Sequence, residues 1–440
     1  MKELYVYADF DWMETPALVG TLLFQEIRGR ESCGFCFERE WLRKYEDITL
    51  DPELRPYPNM QYTEQGKDIF GCFSDALPDR WGRNLLRKRE LLMAKEEQRR
   101  PKHLASSDLL CGIDDHSRMG GFRFKEDPDG IFLNSHSGAY PVPPIASLRE
   151  LEDYSRRIEL SERRKEMPEK RWITRLLNPG SSLGGARPKA NVVDSDGHLY
   201  VAKFPSINDE YDIGLWEYFT NLMARKVGIN TPDAGVIKTG EYHTFLSRRF
   251  DRNEIGKRIH FASAMTMLGL HDGDNASTGY GYPDIVDFII RYGAESQETV
   301  EELFRRVAFN ICVGNSDDHF RNHGFLLSRQ GWKLAPAYDI NPTLNRAQSL
   351  LITPDSDEAD LSLLWENAES YFLSQNRASQ IIDEVTTGLK DWQERALQIG
   401  ISKREIEYFN DRWITERPKI KNEKVTMTKR GKKPKTSRSL

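Results

Sequence analysis

The sequence predicts an α+β fold of two lobes, one strand-rich and one mostly helical, preceded by an N-terminal α/β accessory subdomain. Three observations predict it. A small-residue loop over Gly180–Lys189 leads into two strand-like runs, and the second carries Lys203 within Val-Ala-Lys-Phe. A helical pattern, apolar on one face, then delivers Asp317 and Asn322, five residues apart. A further strand-like stretch ends in Leu-Ala-Pro-Ala-Tyr-Asp-Ile, which places Asp339.

Length and composition agree with several units. A chain of 440 residues exceeds what one ordinary core organises, and 38% hydrophobic with 30% charged residues suits globular folding. No apolar run approaches the roughly 18 residues of a membrane span, and Met1-Lys2-Glu3 opens no secretory signal, so a cytoplasmic location is expected. Five cysteines in a long chain argue against a disulfide framework. Cys33-Gly-Phe-Cys36 has CxxC form, but no second close pair and no following helix start support zinc or redox chemistry, against the alternative of buried strand cysteines.

The elements follow in order. In residues 1–140, the N-terminal subdomain, Leu4–Asp9, Leu18–Gln25 and Gly34–Glu38 read as strands. Phe73-Ser-Asp-Ala-Leu-Pro-Asp-Arg-Trp81 leads into a basic helix. Ser107–Gly112, with Gly120-Gly121-Phe-Arg-Phe124, reads as a turn between short strands. Pro141, Pro143 and Pro144 mark a joint, followed by a charged helix over Leu148–Met167.

Residues 141–250 form the strand-rich lobe. In Gly180-Ser-Ser-Leu-Gly-Gly-Ala-Arg-Pro-Lys189 small residues admit a backbone close to phosphate oxygens. Gly180 and Gly185 keep the gap of a Walker A loop, but Ala186-Arg187 stands where Lys-Ser/Thr belongs. Ala190–Val193 and Leu199–Phe204 are strands. Lys203 among apolar neighbours needs an anionic partner if it is buried, or else it is an edge-facing, solvated lysine. Asp212–Val227 is a helix whose Glu217 either pairs with Lys203 or lies on the surface. Pro232–Val236 and Tyr242–Phe250 complete the sheet, and the second passes into a connector suited to a hinge.

Residues 251–418 are mostly helical. Thr299-Val-Glu-Glu302 has capping-box form, and Val300, Leu303, Phe304, Val307, Ala308 and Ile311 share a face. Gly314 ends that helix before the Asn315–Asn322 loop. Trp365–Tyr371, Ile381–Leu397 and Lys403–Trp413 are further helices. His319 and His323 have HxxxH spacing without a third ligand in supporting context, and His319 suits a role in bracing the loop. Together, glycine loop, strand lysine, helix glutamate, Asp-x-x-x-x-Asn and a second aspartate stand in the order that phosphoryl transfer by a kinase requires. Asp318 is the rival to Asp317 as base, and the spacing to Asn322 favours Asp317.

From Arg417 to Leu440 ten Lys/Arg face one acid, a net of +9 that leaves −14 on the rest of the chain. The tail, residues 419–440, is expected to be disordered. A solvated tail and a contact to nucleic-acid phosphates are its alternative readings.

Val19-Gly-Thr-Leu, the Phe73–Trp81 segment, Ser182-Leu-Gly-Gly-Ala-Arg-Pro-Lys189, Ser316-Asp-Asp-His-Phe-Arg-Asn322 and Leu334–Ile340 resemble the HipA family, the serine/threonine kinase toxins of bacterial toxin–antitoxin modules. The resemblance implies a HipA-like, protein-kinase-like fold and a protein kinase using ATP and Mg²⁺. In that reading Asp317 is the base and Asn322 and Asp339 hold the metal. Lys203 contacts the α/β-phosphates, supported by Glu217. Gly184, Gly185, Ala186, Arg187 and Lys189 cover the phosphates, Arg248, Arg249 and Phe250 form the adenine hinge, and His319 joins the nucleotide-binding set. Autophosphorylation at Ser182, with Ser181 adjacent, would inactivate the enzyme by like-charge repulsion in the loop. The resemblance further implies an aminoacyl-tRNA synthetase as target, arrest of translation, a helix-turn-helix antitoxin of HipB type as partner, and DNA reached through that complex or the tail. Arg248 stands where the family can carry an acidic residue, Asp318 replaces a small one, and the tail is extra. A small-molecule phosphotransferase on the same fold, or an inactive pseudokinase bound to DNA or antitoxin, are the alternatives.

Overall fold

A computed structural model describes residues 1–27, 29–64, 66–135, 142–177, 185–343, 345 and 347–417. Ser181, Ser182, Gly184 and the basic tail lie outside the described residues.

The chain begins with an antiparallel sheet: β1 (Lys2–Ala8), β2 (Ala17–Ile27), β3 (Arg30–Phe37), β4 (Gln61–Tyr62) and β5 (Phe122–Lys125), in the order β4-β3-β2-β1-β5. Alternation explains it, since Leu4, Val6 and Ala8 are buried on one face of β1. Four helices pack around it: α1 (Arg39–Tyr45), α2 (Gly71–Ser74), α3 (Arg80–Glu96) and α4 (Ser106–Cys111). Phe73 docks the Phe73–Trp81 segment onto the sheet, with ring centroids 5.1 Å from Phe35 and 5.4 Å from Phe122. Asp79 caps α3 by accepting from the Gly82 N–H at 2.7 Å.

Ser107–Gly112 is not the expected turn. Ser106–Cys111 is helix α4, and Glu31 on β3 accepts from the Ser107 N–H at 2.9 Å and its hydroxyl at 2.5 Å. A helix start satisfied from a distant strand leaves no local signature. The two cysteines of the CxxC stand three positions apart on β3, hence on opposite faces. Cys33 is buried, which pushes its thiol up to about 12, while Cys36 is half-buried.

After α5 (Leu148–Arg164) and α6 (Lys170–Leu177) comes a second sheet: β6 (Lys189–Val193), β7 (Leu199–Lys203), then, beyond helix α7 (Ile213–Lys226), β8 (Ala234–Lys238) and β9 (His243–Arg248). Its order is β6-β7-β9-β8, all antiparallel.

The remainder is mostly helical. A three-stranded sheet of β10 (Phe261–Ser263), β11 (Gly324–Ser328) and β12 (Gly331–Leu334) is embedded among α8 (Ala264–Met267), α9 (Tyr282–Tyr292), α10 (Ser296–Val313), α11 (Leu361–Glu366), α12 (Gln375–Gly388), α13 (Trp392–Gln398) and α14 (Lys403–Phe409). Helix α10 starts three residues before Thr299, whose hydroxyl lies inside the first turn and donates to the Glu295 carbonyl at 2.6 Å. The capping-box pattern there is therefore not the cap. The apolar face of α10 is fully buried, and Gly314 ends the helix at φ +72°, a left-handed conformation that glycine adopts without steric cost. The expected helix over Ile381–Leu397 is two, broken at Leu389–Asp391.

The first sheet is locked to the rest by Asp75, which accepts from the Ser263 N–H at 2.7 Å and the Ser263 hydroxyl at 2.8 Å. One connected apolar core runs from Leu4 to Trp413.

Candidate active site

Lys203 ends β7 beneath α7 and is 8% exposed. Its ammonium lies 2.5 Å from the carboxylate of Glu217, itself 4% exposed on α7, and contacts the carboxylate of Asp339. Burial pulls the Lys203 ammonium below its ordinary pKa, against the Glu217 charge that favours it. Lys189, directly opposite on β6, is 1% exposed and pairs with Asp79 at 3.1 Å. Two lysines side by side on neighbouring strands repel one another, and each has its own carboxylate. Glu217 is thus the buried partner rather than a surface residue.

Asp339 follows β12 and holds φ at +58°. Its neighbours are pinned on both sides. The Tyr338 hydroxyl donates to the Arg321 carbonyl at 2.8 Å and its ring lies 5.4 Å from Phe250, while the Ile340 carbonyl accepts from Thr220 at 2.5 Å. A left-handed non-glycine residue costs roughly 1–2 kcal/mol and persists where surrounding contacts over-determine it.

The loop after α10 separates the two adjacent aspartates. Asp318 is 3% exposed and accepts from Tyr282 at 2.6 Å and Asn310 at 2.8 Å, with the His323 ring nitrogen at 2.7 Å. Burial would raise its carboxyl, but the His323 ring and these hydrogen bonds hold it below its ordinary value. Asp318 is therefore a brace of the loop. Asp317 is exposed and opens into a cleft of about 1880 Å³ shared with Asn322, His319, Gly185 and Ala186. The Asn322 side-chain N–H donates to the Asp317 carbonyl at 3.1 Å, which leaves its Oδ1 as the atom for a cation. His319 is half-buried, with a shielded Nδ1 that makes no hydrogen bond. His323 is committed to Asp318, so the HxxxH spacing reflects loop structure.

A second cleft, of about 570 Å³, lies between the sheet and Asp339 and is lined by Val201, Lys203, Phe245, Arg248, Phe250 and Tyr338 among others. Arg248 pairs with Glu254 at 2.8 Å. Arg249 turns away into the interior, where it pairs with Asp251 at 2.6 Å and donates to the Ser117 carbonyl at 2.5 Å and to Asn191 at 3.1 Å. Only its backbone is left for the expected hinge. The cations of the glycine loop are also engaged, Arg187 in a fork to Asp209 at 3.0 and 2.6 Å and Lys189 to Asp79.

Sequence reasoning missed Asp251, Asp209 and Asp79 as partners. Only Asp79, in the Pro-Asp-Arg-Trp entry to α3, carried a signal, that of an N-cap. Asn322 and Asp339 offer an amide oxygen and a carboxylate, hard donors of the kind Mg²⁺ takes, so the residues fit that ion.

A strand lysine paired to a helix glutamate, facing a second lobe that presents Asp317, Asn322 and Asp339, defines a protein-kinase-like fold. Residues 181–392 match the HipA-like C-terminal domain family. Among curated relatives, a Haemophilus influenzae protein is 27% identical over 180 residues, 37% of this chain and 52% of that protein. The serine/threonine-protein kinase toxin HipA of Shewanella oneidensis is 25% identical over 186 residues, 37% of this chain and 43% of that one. The matched segments therefore span about half or less of those relatives' own length. The structure of Shewanella oneidensis HipA with HipB and operator DNA superposes with a TM-score of 0.61 over 93% of this chain and 94% of that one, at 15% identity, which establishes the shared fold. No helix among the described residues is long and apolar enough to cross a membrane.

Proposed function

We propose that the protein is an ATP- and Mg²⁺-dependent kinase of the HipA toxin type, acting on serine or threonine of a protein. The observation that carries this reading is the meeting of Lys203 and Glu217 with Asp339 across the lobes, together with an exposed Asp317 that opens into a cleft shared with Asn322. The apolar cleft at Val201, Phe245 and Phe250 suits an adenine ring, with hinge backbone for its polar edge. In this reading Lys203 holds the α/β-phosphates, and Asp317 takes the proton as the acceptor oxygen bonds to the γ-phosphorus and the bond to the ADP oxygen breaks. A bound Mg²⁺, held by Asn322 and Asp339, would neutralise phosphate charge.

Lys203→Met is expected to weaken Mg·ATP binding by about tenfold or more, the worth of one charge-assisted contact. Calorimetric titration checks it, and unchanged affinity would remove Lys203 from the phosphate site.

By resemblance, an aminoacyl-tRNA synthetase is the target, Ser182 (or Ser181) the autophosphorylated residue and a HipB-like protein the partner. The superposing HipA comes from a complex with HipB and operator DNA. Intact mass of the dephosphorylated protein after incubation with Mg·ATP tests the chemistry. A gain of one phosphoryl group that is lost in Ser182→Ala is expected. Failure of unphosphorylated protein to bind ATP would sink the reading.

A further inference from the structure

Helix α3 of the N-terminal part carries Arg80, Arg83 and Arg87 at positions i, i+3 and i+7, one face of a helix. All three line the 1880 Å³ cleft that holds Asp317 and Asn322, and Arg321 joins them from the loop itself. None of the three helix arginines forms an ion pair among the described residues. Arg83 is half-buried, and its Nε donates to the Pro78 carbonyl at 2.9 Å. Burial, and then the neighbouring Arg321 charge, weaken its hold on its proton. Three of the four carboxylates that line the cleft are already engaged, and Asp317 is the fourth. Asp79 is bound to Lys189, Asp272 lies 3.3 Å from Arg321, and Asp75 is bonded to Ser263. Three arginines without an ion pair among the described residues, against one uncommitted carboxylate in the cleft, are the electrostatic form of an anion subsite.

We propose that this arginine face of α3 is the acceptor subsite and selects a protein segment bearing anionic side chains, carboxylate or phosphate, close to the phosphorylated hydroxyl. The proposal rests on the kinase reading above and names the substrate class of that site. From Arg80 to Arg87 the helix advances about 10 Å, roughly three residues of extended peptide. Two anionic side chains up to that spacing can therefore meet the stripe together. A peptide fits better than a nucleic acid because Asp79, Asp272 and Asp317 are interspersed with the arginines. A continuous phosphate backbone would be repelled there, whereas separate acidic side chains can each find an arginine.

The test is fluorescence anisotropy of labelled serine peptides added to the 440-residue chain with Mg·ADP. Three peptides share a core and differ in flanking Asp/Glu, phosphoserine or Lys. The acidic and phosphorylated peptides should bind about tenfold more tightly than the lysine peptide, and Arg83→Gln/Arg87→Gln should reduce that preference to about twofold. Arg87→Glu should shift preference towards lysine. The tighter of the two anionic peptides tells carboxylate from phosphate selection. Thermal melts report folding of each variant, and Arg80→Gln and Arg87→Gln, both at exposed positions, carry the test if the Arg83 change unfolds the protein. Equal binding of all three peptides, or discrimination that survives the double substitution, overturns the proposal. So does a single-stranded oligonucleotide that binds more tightly than either anionic peptide and loses affinity in the double variant. Acidic peptides that bind but accept no phosphate from Mg·ATP would leave the subsite standing and defeat the kinase reading instead.

Discussion

Asp317→Ala is expected to slow phosphoryl transfer by about 10²–10⁴-fold, the usual contribution of a positioned general base, with the fold intact. The Asp317 side chain is exposed in the cleft, and no other described side chain depends on it. Asp318→Ala should behave in the opposite sense. It removes the acceptor of Tyr282, Asn310 and His323 at once and leaves three buried polar groups short of a partner. At about 1–3 kcal/mol for each unsatisfied group, stability should fall together with activity. Single-turnover transfer and thermal melting, measured on both variants, separate the two roles. An active Asp317→Ala enzyme beside a stably folded but dead Asp318→Ala enzyme would exchange the assignments.

Asp251→Ala should be the most destabilising single substitution near the site, at about 3–5 kcal/mol, because it strands buried cations. Asp251 is fully buried and accepts from Arg249, from Arg252 and from the Gly120 N–H at 2.8 Å. The same arginines reach the carbonyls of Ser117 and Arg118, so this carboxylate ties the N-terminal part to the connector that follows β9. Burial alone would raise the Asp251 carboxyl, but Arg249 and Arg252 outweigh it and hold the group well below the ordinary carboxylate range. A depressed acid contributes stability that is present above its unfolded value, near 4, and is lost as pH falls below that towards the folded value. Asp251→Ala should therefore narrow its gap to the wild type only in strong acid. Urea unfolding across pH measures this. A loss below about 1 kcal/mol at neutral pH would mean that the arginines find other partners.

Much of the candidate site was legible in local sequence because its chemistry is local. The spacing of Asp317 and Asn322, the glycine that ends α10 and the strand lysine are short-range patterns, and the structure places Lys203, Glu217 and Asp339 in contact. The secondary structure followed where periodicity was strong, as in β1, β7 and α10. It failed where a distant residue supplied the missing bond, as Glu31 does for α4. It also failed in the helical tail of the fold, where a break at Leu389–Asp391 interrupts a continuous pattern.

The sequence by itself determined the class of fold, the order of its motifs and the residue types at the site, because strand alternation, helical faces and turn residues act over a few positions. Only the tertiary structure decided which of two adjacent aspartates is free and which cations are engaged. Asp318 is claimed by a tyrosine 36 residues away, Arg187 by Asp209, and Lys189 by Asp79. It also brought the arginines of α3 to the cleft of Asp317. Burial and charge pairing belong to the packed chain, since a lysine or aspartate reads alike in sequence whether it ends in water or against a counter-ion.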